Sequence, residues 1–471
     1  MAPLVRQLRA HYPYGHSRRM SSLLSNNSPR PGKKTPTSDQ LAPLHDSALD
    51  RRSASSPKRL GRLVHAFEDN DHVLLNFEHD NVDRPAGFSK LWFRDACPCS
   101  ECVSESSGQK RFATCDIDAD PQLESCRVTN DGELALVWAK DLLTGNSHTS
   151  IYSLDFLQQV VLVKGGLHLH WRFTPERVFW AKRRLTDELD ARFINYDDWM
   201  AGGDSFAKAF LDLITWGLIF VRGVPESHDA VQDIASKIGD LQLTFYGLTW
   251  DVISKPNAEN VAYTNEFLCL HQDLLYWRET PRLQLLHCLK NECPGGESLF
   301  SDGLRTAWEL KTSHEDIYKV LTDHAVDFHY HKHGHFYHSR RNVISTKAAY
   351  PIKVNWSPPF QAPFHQKPNA LGVGNSDGLH KWREAARIFR DNLESPNNML
   401  QYRLQPGECV LFDNQRILHG RTNFDTSAGH RHLRGGYIDT QTLSSAFVRL
   451  GELGALGALD GRPVDRWDAW E

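Results

Sequence analysis

The sequence predicts an α+β chain that is mainly β: a double-stranded β-helix (jelly roll) braced by helices, behind a small β-rich domain. Two observations predict it. Short runs of strand length, apolar or alternating, recur along the chain, many of them bounded by turn residues. In the larger part the clearest helical patterns, residues 205–216 and 229–238, come before most of the strand-like runs, and helices first, then strands with long insertions, suit a braced jelly roll. No internal repeat is visible.

The length of 471 residues leaves room for two or three domains and a large core. A composition of 40% hydrophobic and 24% charged residues is that of an ordinary globular protein, and a net charge of −4 gives no reason to expect nucleic acid as a partner. No window approaches the ~20 apolar residues of a membrane span; the best, 206–221, contains Lys208 and Asp212. The nine cysteines, three of them crowded between Cys97 and Cys102, do not resemble a spread disulfide framework and suggest a reducing, intracellular compartment.

Residues 1–60 stand apart. Up to Gln40 they hold five Arg, two Lys, many Ser and Pro, and one acidic residue, Asp39. Such a segment cannot bury enough apolar surface to fold alone, and its composition is that of a mitochondrial transit segment. Residues 61–163 read as the small β-rich domain, with strands at 72–77 and 133–138 and a hairpin turn at Asn130-Asp131-Gly132. A connector covers 164–190, the larger domain 191–450 and a tail 451–471. Within the larger domain Gly217 ends the first helix and Leu218-Ile219-Phe220-Val221 reads as a buried strand. Further strands are expected at 282–289, 324–330, 402–404, 408–412 and 433–438.

In the small domain Cys97-Pro98-Cys99-Ser100-Glu101-Cys102 brings three thiols close enough to wrap one soft metal. Tetrahedral zinc would need one more ligand, for which His148 is the first choice and Cys115 and Cys126 are alternatives. An iron–sulfur cluster would want four cysteines in a spacing that is not found. A closed Cys3His shell would be structural.

In the larger domain His271-Gln272-Asp273 offers a His-x-Asp pair. On an extended backbone residues i and i+2 project to one side, so an imidazole and a carboxylate converge on one cation. With a distant His such a pair makes the facial triad of non-haem Fe(II) oxygenases. His419, just after the apolar run ending in Phe412-Asp413-Asn414, is the candidate third ligand. Arg431, at a strand start, offers a guanidinium fork that matches a carboxylate such as the distal one of 2-oxoglutarate.

Taken together, these motifs make the chain resemble the γ-butyrobetaine hydroxylase branch of the TauD-like Fe(II)/2-oxoglutarate dioxygenases, which also contains trimethyllysine dioxygenase. Besides the triad, the residues that carry the resemblance are Leu91-Trp92-Phe93-Arg94-Asp95-Ala96-Cys97-Pro98-Cys99, Leu283-Gln284-Leu285-Leu286-His287-Cys288 and Pro294-Gly295-Gly296-Glu297-Ser298. The resemblance implies iron held by His271, Asp273 and His419, with 2-oxoglutarate anchored by Arg431. It implies a quaternary-ammonium site of Tyr246, Trp250, Tyr263 and Tyr437, with Asn260 on the substrate carboxylate. It further implies structural zinc, support of activity by ascorbate, dioxygen as co-substrate and a homodimer. The implied reaction is hydroxylation of γ-butyrobetaine to L-carnitine, with decarboxylation of 2-oxoglutarate to succinate. Trimethyllysine, or another ammonium or amino-acid substrate, is the alternative, and a non-catalytic metal-binding interaction protein is the alternative of another class. One position departs from the pattern: Ser357 aligns with a family Asn that helps hold the substrate carboxylate. Finally, His329, His331, His333 and His335 alternate; on one strand face they would suggest a second metal, but Gly334 is expected to bend the chain and break that face.

Overall fold

The computed structural model describes residues 61–78, 86–141, 145–162, 177–254, 263–347, 349–364 and 376–452. The expected leader 1–60, residue 163 of the small domain, connector residues 164–176, Asn260 and tail residues 453–471 lie outside the described residues.

The first part begins with β1 (Leu63–Asp69), β2 (His72–Phe77) and β3 (Ala86–Ser89), an antiparallel sheet in that order. Helix α1 (Lys90–Asp95) follows, then β4 (Leu123–Val128), β5 (Leu134–Trp138) and β6 (His148–Tyr152), a second antiparallel sheet. Alternate residues of β2 (Val73, Leu75, Phe77) meet Leu134, Leu136 and Trp138 of the other sheet in one core. The expected turn closes β4 onto β5, with Gly132 at φ 80° and its N–H donating to the carbonyl of Thr129. The β-rich first part also holds two short helices that the strand reading did not place, α1 and α2 (Leu154–Leu162). Leu157 and Val160 are buried one helical turn apart, a spacing that so short an apolar run did not separate from a strand.

The second part opens with α3 (Lys182–Asp187), β7 (Phe193–Asn195), α4 (Tyr196–Ala201), α5 (Gly203–Trp216), β8 (Leu218–Arg222), α6 (Ala230–Ser236) and β9 (Thr249–Ile253). Helix α5 buries Phe206, Phe210, Leu213 and Ile214 along one stripe, and Gly217 stops it at φ 83°, in the left-handed conformation that glycine tolerates. There follow β10 (Leu268–His271), β11 (Leu283–Asn291), β12 (Ser298–Asp302), α7 (Gly303–Ser313), α8 (Glu315–Asp323), β13 (Ala325–Lys332), β14 (His335–Asn342), β15 (Ile344–Lys347) and β16 (Tyr350–Val354). The last elements are α9 (Ser376–Leu393), β17 (Leu400–Tyr402), β18 (Glu408–Asp413), β19 (Ile417–Arg421), β20 (Arg431–Ile438) and α10 (Thr440–Glu452).

Two sheets dominate. One has the order β7-β8-β18-β11-β20-β9, antiparallel except between β7 and β8; the other has the order β10-β19-β12-β17 and is antiparallel throughout. Between them Phe220, Leu286, Val410 and Phe412 of the first sheet pack on Phe300, Leu400 and Ile417 of the second. The opposite face of the first sheet, through Ile219, Val221, Leu285 and Leu411, buries the apolar stripes of α5, α6 and α10. Strand β8 is buried on both faces, as its unbroken apolar run implied. The outer face of the second sheet, through Leu270, Leu299 and Leu418, shares a core with α7, α8 and α9. None of the described helices is long and apolar enough to cross a membrane.

A buried ion pair ties this frame together. Asp302, at the end of β12, accepts from Arg416 Nη2 at 2.7 Å and from the Arg305 N–H in the first turn of α7, and both side chains of the pair are buried. Asp302→Ala would leave a buried guanidinium without its counter-charge, at a cost of about 3–5 kcal/mol. The expected result is a fall of that size in the unfolding free energy read from urea titration, partly recovered when Arg416→Met removes the orphan charge as well.

The alternating histidines do not share a strand face. His333 (φ 51°) and Gly334 (φ 77°) form the two-residue turn between β13 and β14, so His329 and His331 lie on one strand and His335 on the next. The bend at Gly334 is the one expected.

Candidate active site and metal centres

His271 ends β10 and is registered against His419 of β19, whose other neighbour is Phe300 of β12. The strand stops there, so Asp273 does not reach its position along an extended backbone; it lies in the following turn, just before Leu274 at φ 58°. The convergence survives. His271 Nε2 is 3.2 Å from Asp273 Oδ1, His419 Nε2 is 3.9 Å from Asp273 Oδ2, and one ligand atom from each of the three residues falls within 4.8 Å of the others. The Nδ1–H of His271 donates to the carbonyl of Cys269 at 2.9 Å, which leaves Nε2 as the lone-pair nitrogen. Burial, reinforced by His271, holds the His419 imidazole down to about 3, a neutral ligand. Burial alone would raise the Asp273 carboxyl; the imidazoles of His271 and His419 beside it and the hydrogen bond from the Tyr437 hydroxyl hold it well below the usual carboxylate range. Two imidazoles and one carboxylate suit a divalent transition ion with positions left open.

The backbone under the pair is clamped by residues to which the sequence reading gave no role. Gln272 is fully buried: its amide donates to the Asn414 carbonyl at 2.6 Å and accepts from Trp356 N–H at 2.9 Å. Asn414 Oδ1 accepts from Asp273 N–H at 3.0 Å, while its Nδ2 donates to the carbonyls of Asp273 and Pro281. The Asp-Asn step after the apolar run was the available signal, since buried polar side chains there must be satisfied.

Arg431 begins β20, as expected, and is buried. Its guanidinium lies over the Phe424 ring at 5.3 Å, its Nε has no hydrogen-bond partner, and no carboxylate pairs with it among the described residues. Burial pushes it down to about 10, still cationic near neutrality. Gly296 makes the space: a Cβ there would come 3.0 Å from Arg431 Nε. A buried, unpaired fork fits the free carboxylate of a keto-diacid such as 2-oxoglutarate. Arg431→Leu is expected to raise KM for 2-oxoglutarate about thirtyfold or more, the lower end of the ~2–5 kcal/mol for a truncated buried charge pair. Steady-state kinetics check it.

Tyr246, Trp250, Tyr263 and Tyr437 belong to one core cluster. Tyr246 meets Tyr263 edge-on at 6.5 Å and its hydroxyl lies 3.4 Å from that of Tyr276; Trp250 stacks on Tyr437 at 4.0 Å; the Tyr437 hydroxyl donates to Asp273 Oδ2 at 2.7 Å. The wall is larger than expected. Tyr330 and Tyr337, cross-strand partners on β13 and β14, pack on Tyr276 and Phe245, so the inner face of the histidine-rich hairpin is aromatic. Phe328 and Tyr330, alternating with His329 and His331 along one strand, were the missed signal. Ser357 is buried and its hydroxyl has no partner.

In the first part, His148 Nε2 lies 3.3, 3.6 and 3.5 Å from the sulfurs of Cys97, Cys99 and Cys102, as the first choice of ligands anticipated; the alternatives Cys115 and Cys126 are not in the cluster. His148 Nδ1 faces Glu101 Oε2 at 3.3 Å, and Arg94 donates to Cys102 Sγ at 3.3 Å while paired with Asp141. Burial pushes the Cys102 thiol up to about 12, a penalty that a bound cation reverses. Three sulfurs and one imidazole, backed by a carboxylate on the far ring nitrogen, fit tetrahedral zinc with no open position.

Residues 182–437 match the family described as Taurine catabolism dioxygenase TauD, TfdA family. The chain belongs to that family. Residues 65–158 match the family described as Gamma-butyrobetaine hydroxylase-like, N-terminal. The dioxygenase is similar to Dioxygenase str8 of Strobilurus tenacellus, with 35% identity over 368 residues, 75% of this chain and 82% of the relative. It is also similar to the Gamma-butyrobetaine dioxygenase of Pseudomonas sp. (strain AK-1), with 28% identity over 78% of this chain and 91% of the relative. To the Trimethyllysine dioxygenase of Meyerozyma guilliermondii it is 27% identical, over 85% of this chain and 98% of the relative. The dioxygenase is thus an enzyme that depends on Fe(II) and 2-oxoglutarate.

Proposed function

We propose that the enzyme hydroxylates an aliphatic C–H of a quaternary-ammonium acid, γ-butyrobetaine first, giving L-carnitine. In this reading His271, Asp273 and His419 hold iron, Arg431 anchors 2-oxoglutarate, and Cys97, Cys99, Cys102 and His148 hold structural zinc. Bound iron with 2-oxoglutarate and dioxygen supplies the oxidation: one oxygen atom enters succinate as carbon dioxide leaves, the other enters the substrate. The chain's own residues clamp the ligands, neutralise the keto-diacid and turn ring faces toward a cation. A double-stranded β-helix is the reading supported by two sheets sharing one core.

The observation that carries the substrate class is the aromatic wall joined to Asp273: a quaternary ammonium has no N–H to donate, so only ring faces and shape hold it. Ser357 bears on the substrate's anionic end, because a hydroxyl is shorter than the amide expected there. The test is a substrate panel read by mass spectrometry and succinate release. Coupled hydroxylation of γ-butyrobetaine supports the reading; turnover coupled only to trimethyllysine keeps the ammonium class and overturns γ-butyrobetaine as the substrate, and turnover coupled only to an acid without a quaternary ammonium sinks the class. Ser357→Asn is expected to lower KM for γ-butyrobetaine about three- to tenfold, one added hydrogen bond at ~0.5–1.5 kcal/mol. A homodimer and a mitochondrial address belong to the same proposal, to be read by light scattering and by a fluorescent fusion of residues 1–60.

A further inference from the structure

We propose that Tyr437 is a positioning residue for Asp273: its phenol engages Oδ2 and so leaves Oδ1 as the single oxygen offered to the metal. This rests on the iron reading of the triad. The Tyr437 hydroxyl donates to Asp273 Oδ2 at 2.7 Å, short as hydrogen bonds to a charged oxygen are, while Oδ1 faces His271 Nε2 at 3.2 Å. A hydrogen-bonded carboxylate oxygen is the poorer metal donor, so the phenol biases Asp273 toward one-oxygen ligation. That bias matters in a 2-oxoglutarate enzyme. Three protein ligands and a bidentate keto-acid leave one of six positions, and a chelating carboxylate would fill it.

The direction of the phenol is set by packing. The ring is buried and stacks on Trp250 at 4.0 Å and 21°. Trp250 is registered against Gly435, where a Cβ would come 2.6 Å from the indole, so glycine two residues before Tyr437 gives the indole its seat. The peptide carbonyl of Tyr437 is held in turn by Gln242 N–H at 2.7 Å. Two rings stacked this closely cover one face of each other, so the ammonium must rely more on Tyr246 and Tyr263.

Tyr437→Phe separates the two roles, since it keeps the ring and removes the hydroxyl. Calorimetric titration of the full chain with Mn(II), at saturating 2-oxoglutarate, is expected to show Kd raised roughly 10–100-fold, the effect of losing a partner behind a metal ligand. Binding of γ-butyrobetaine at saturating Mn(II) should stay within about threefold, because the ring face remains. An unchanged Mn(II) Kd, or a loss confined to γ-butyrobetaine, overturns the proposal. Should Tyr437→Phe fail to fold, Trp250→Phe loosens the stack and should raise the Mn(II) Kd several-fold; no change overturns the proposal equally. If the wild type shows no Mn(II) binding that His271→Ala abolishes, the iron reading itself has failed, a result distinct from either.

Discussion

Asp273→Ala is expected to abolish both half-reactions, with 2-oxoglutarate decarboxylation and substrate hydroxylation falling together by about a thousandfold or more. The carboxylate is the one anionic group of the triad, and both imidazoles beside it are turned toward it at 3.2 and 3.9 Å. Removing it strips a charge and a ligand from the metal position at once. The backbone clamp on residue 273 runs through its own N–H and carbonyl to Asn414, so the substitution should leave the turn in place. The measurement is succinate release and product mass in parallel, with circular dichroism to show an intact fold. Loss of hydroxylation with decarboxylation kept would place Asp273 in substrate handling and sink its role as a ligand.

Much of this site was legible in the sequence, because it is built from residue types whose chemistry is narrow. His271, Asp273 and His419 could be named from donor type and order, and Cys97, Cys99, Cys102 and His148 from thiol spacing and one strand-borne imidazole. The strands at 72–77 and 408–412 were legible from apolar runs, and α5 from its stripe and Gly217. What escaped was whatever depends on three-dimensional neighbours. The middle residue of the His-x-Asp pair, Gln272, has no signature of its own, yet it bonds to both Trp356 and Asn414. Nothing in the sequence marks Tyr276, Tyr330 and Tyr337 as site residues; the β13–β14 hairpin brings Tyr330 and Tyr337 onto Tyr276, whose hydroxyl faces that of Tyr246. Helix α1 carries aromatic residues whose side chains, not their propensity, decide the outcome: Phe93 fills the core and Arg94 reaches Asp141. The Asp273 geometry was expected for the wrong reason, since convergence comes from a turn and not from strand alternation.

Cys102→Ser is expected to release the zinc and unfold the first part of the chain while the two-sheet part keeps its structure. The physical reason is the balance within residues 61–162. Their core is modest, two three-stranded sheets and two short helices, and a domain of that size holds ~5–15 kcal/mol of net stability. A structural zinc site supplies ~10–16 kcal/mol of apparent binding free energy in zinc-finger peptides, comparable to the whole of that margin. The ligand is also tied to the frame: Cys102 accepts from Arg94, whose guanidinium is forked onto Asp141 and buried with it. Losing the metal would leave buried thiols that prefer protons and an Arg–Asp pair without the thiolate beside it, so the damage should spread from the cluster to α1. Elemental analysis should fall from one zinc per chain toward none, and limited proteolysis should open cleavage sites within 61–162 before any in the two-sheet part. If zinc is lost and the proteolysis pattern does not change, the sheets of the first part hold themselves, and the cluster serves something other than their stability.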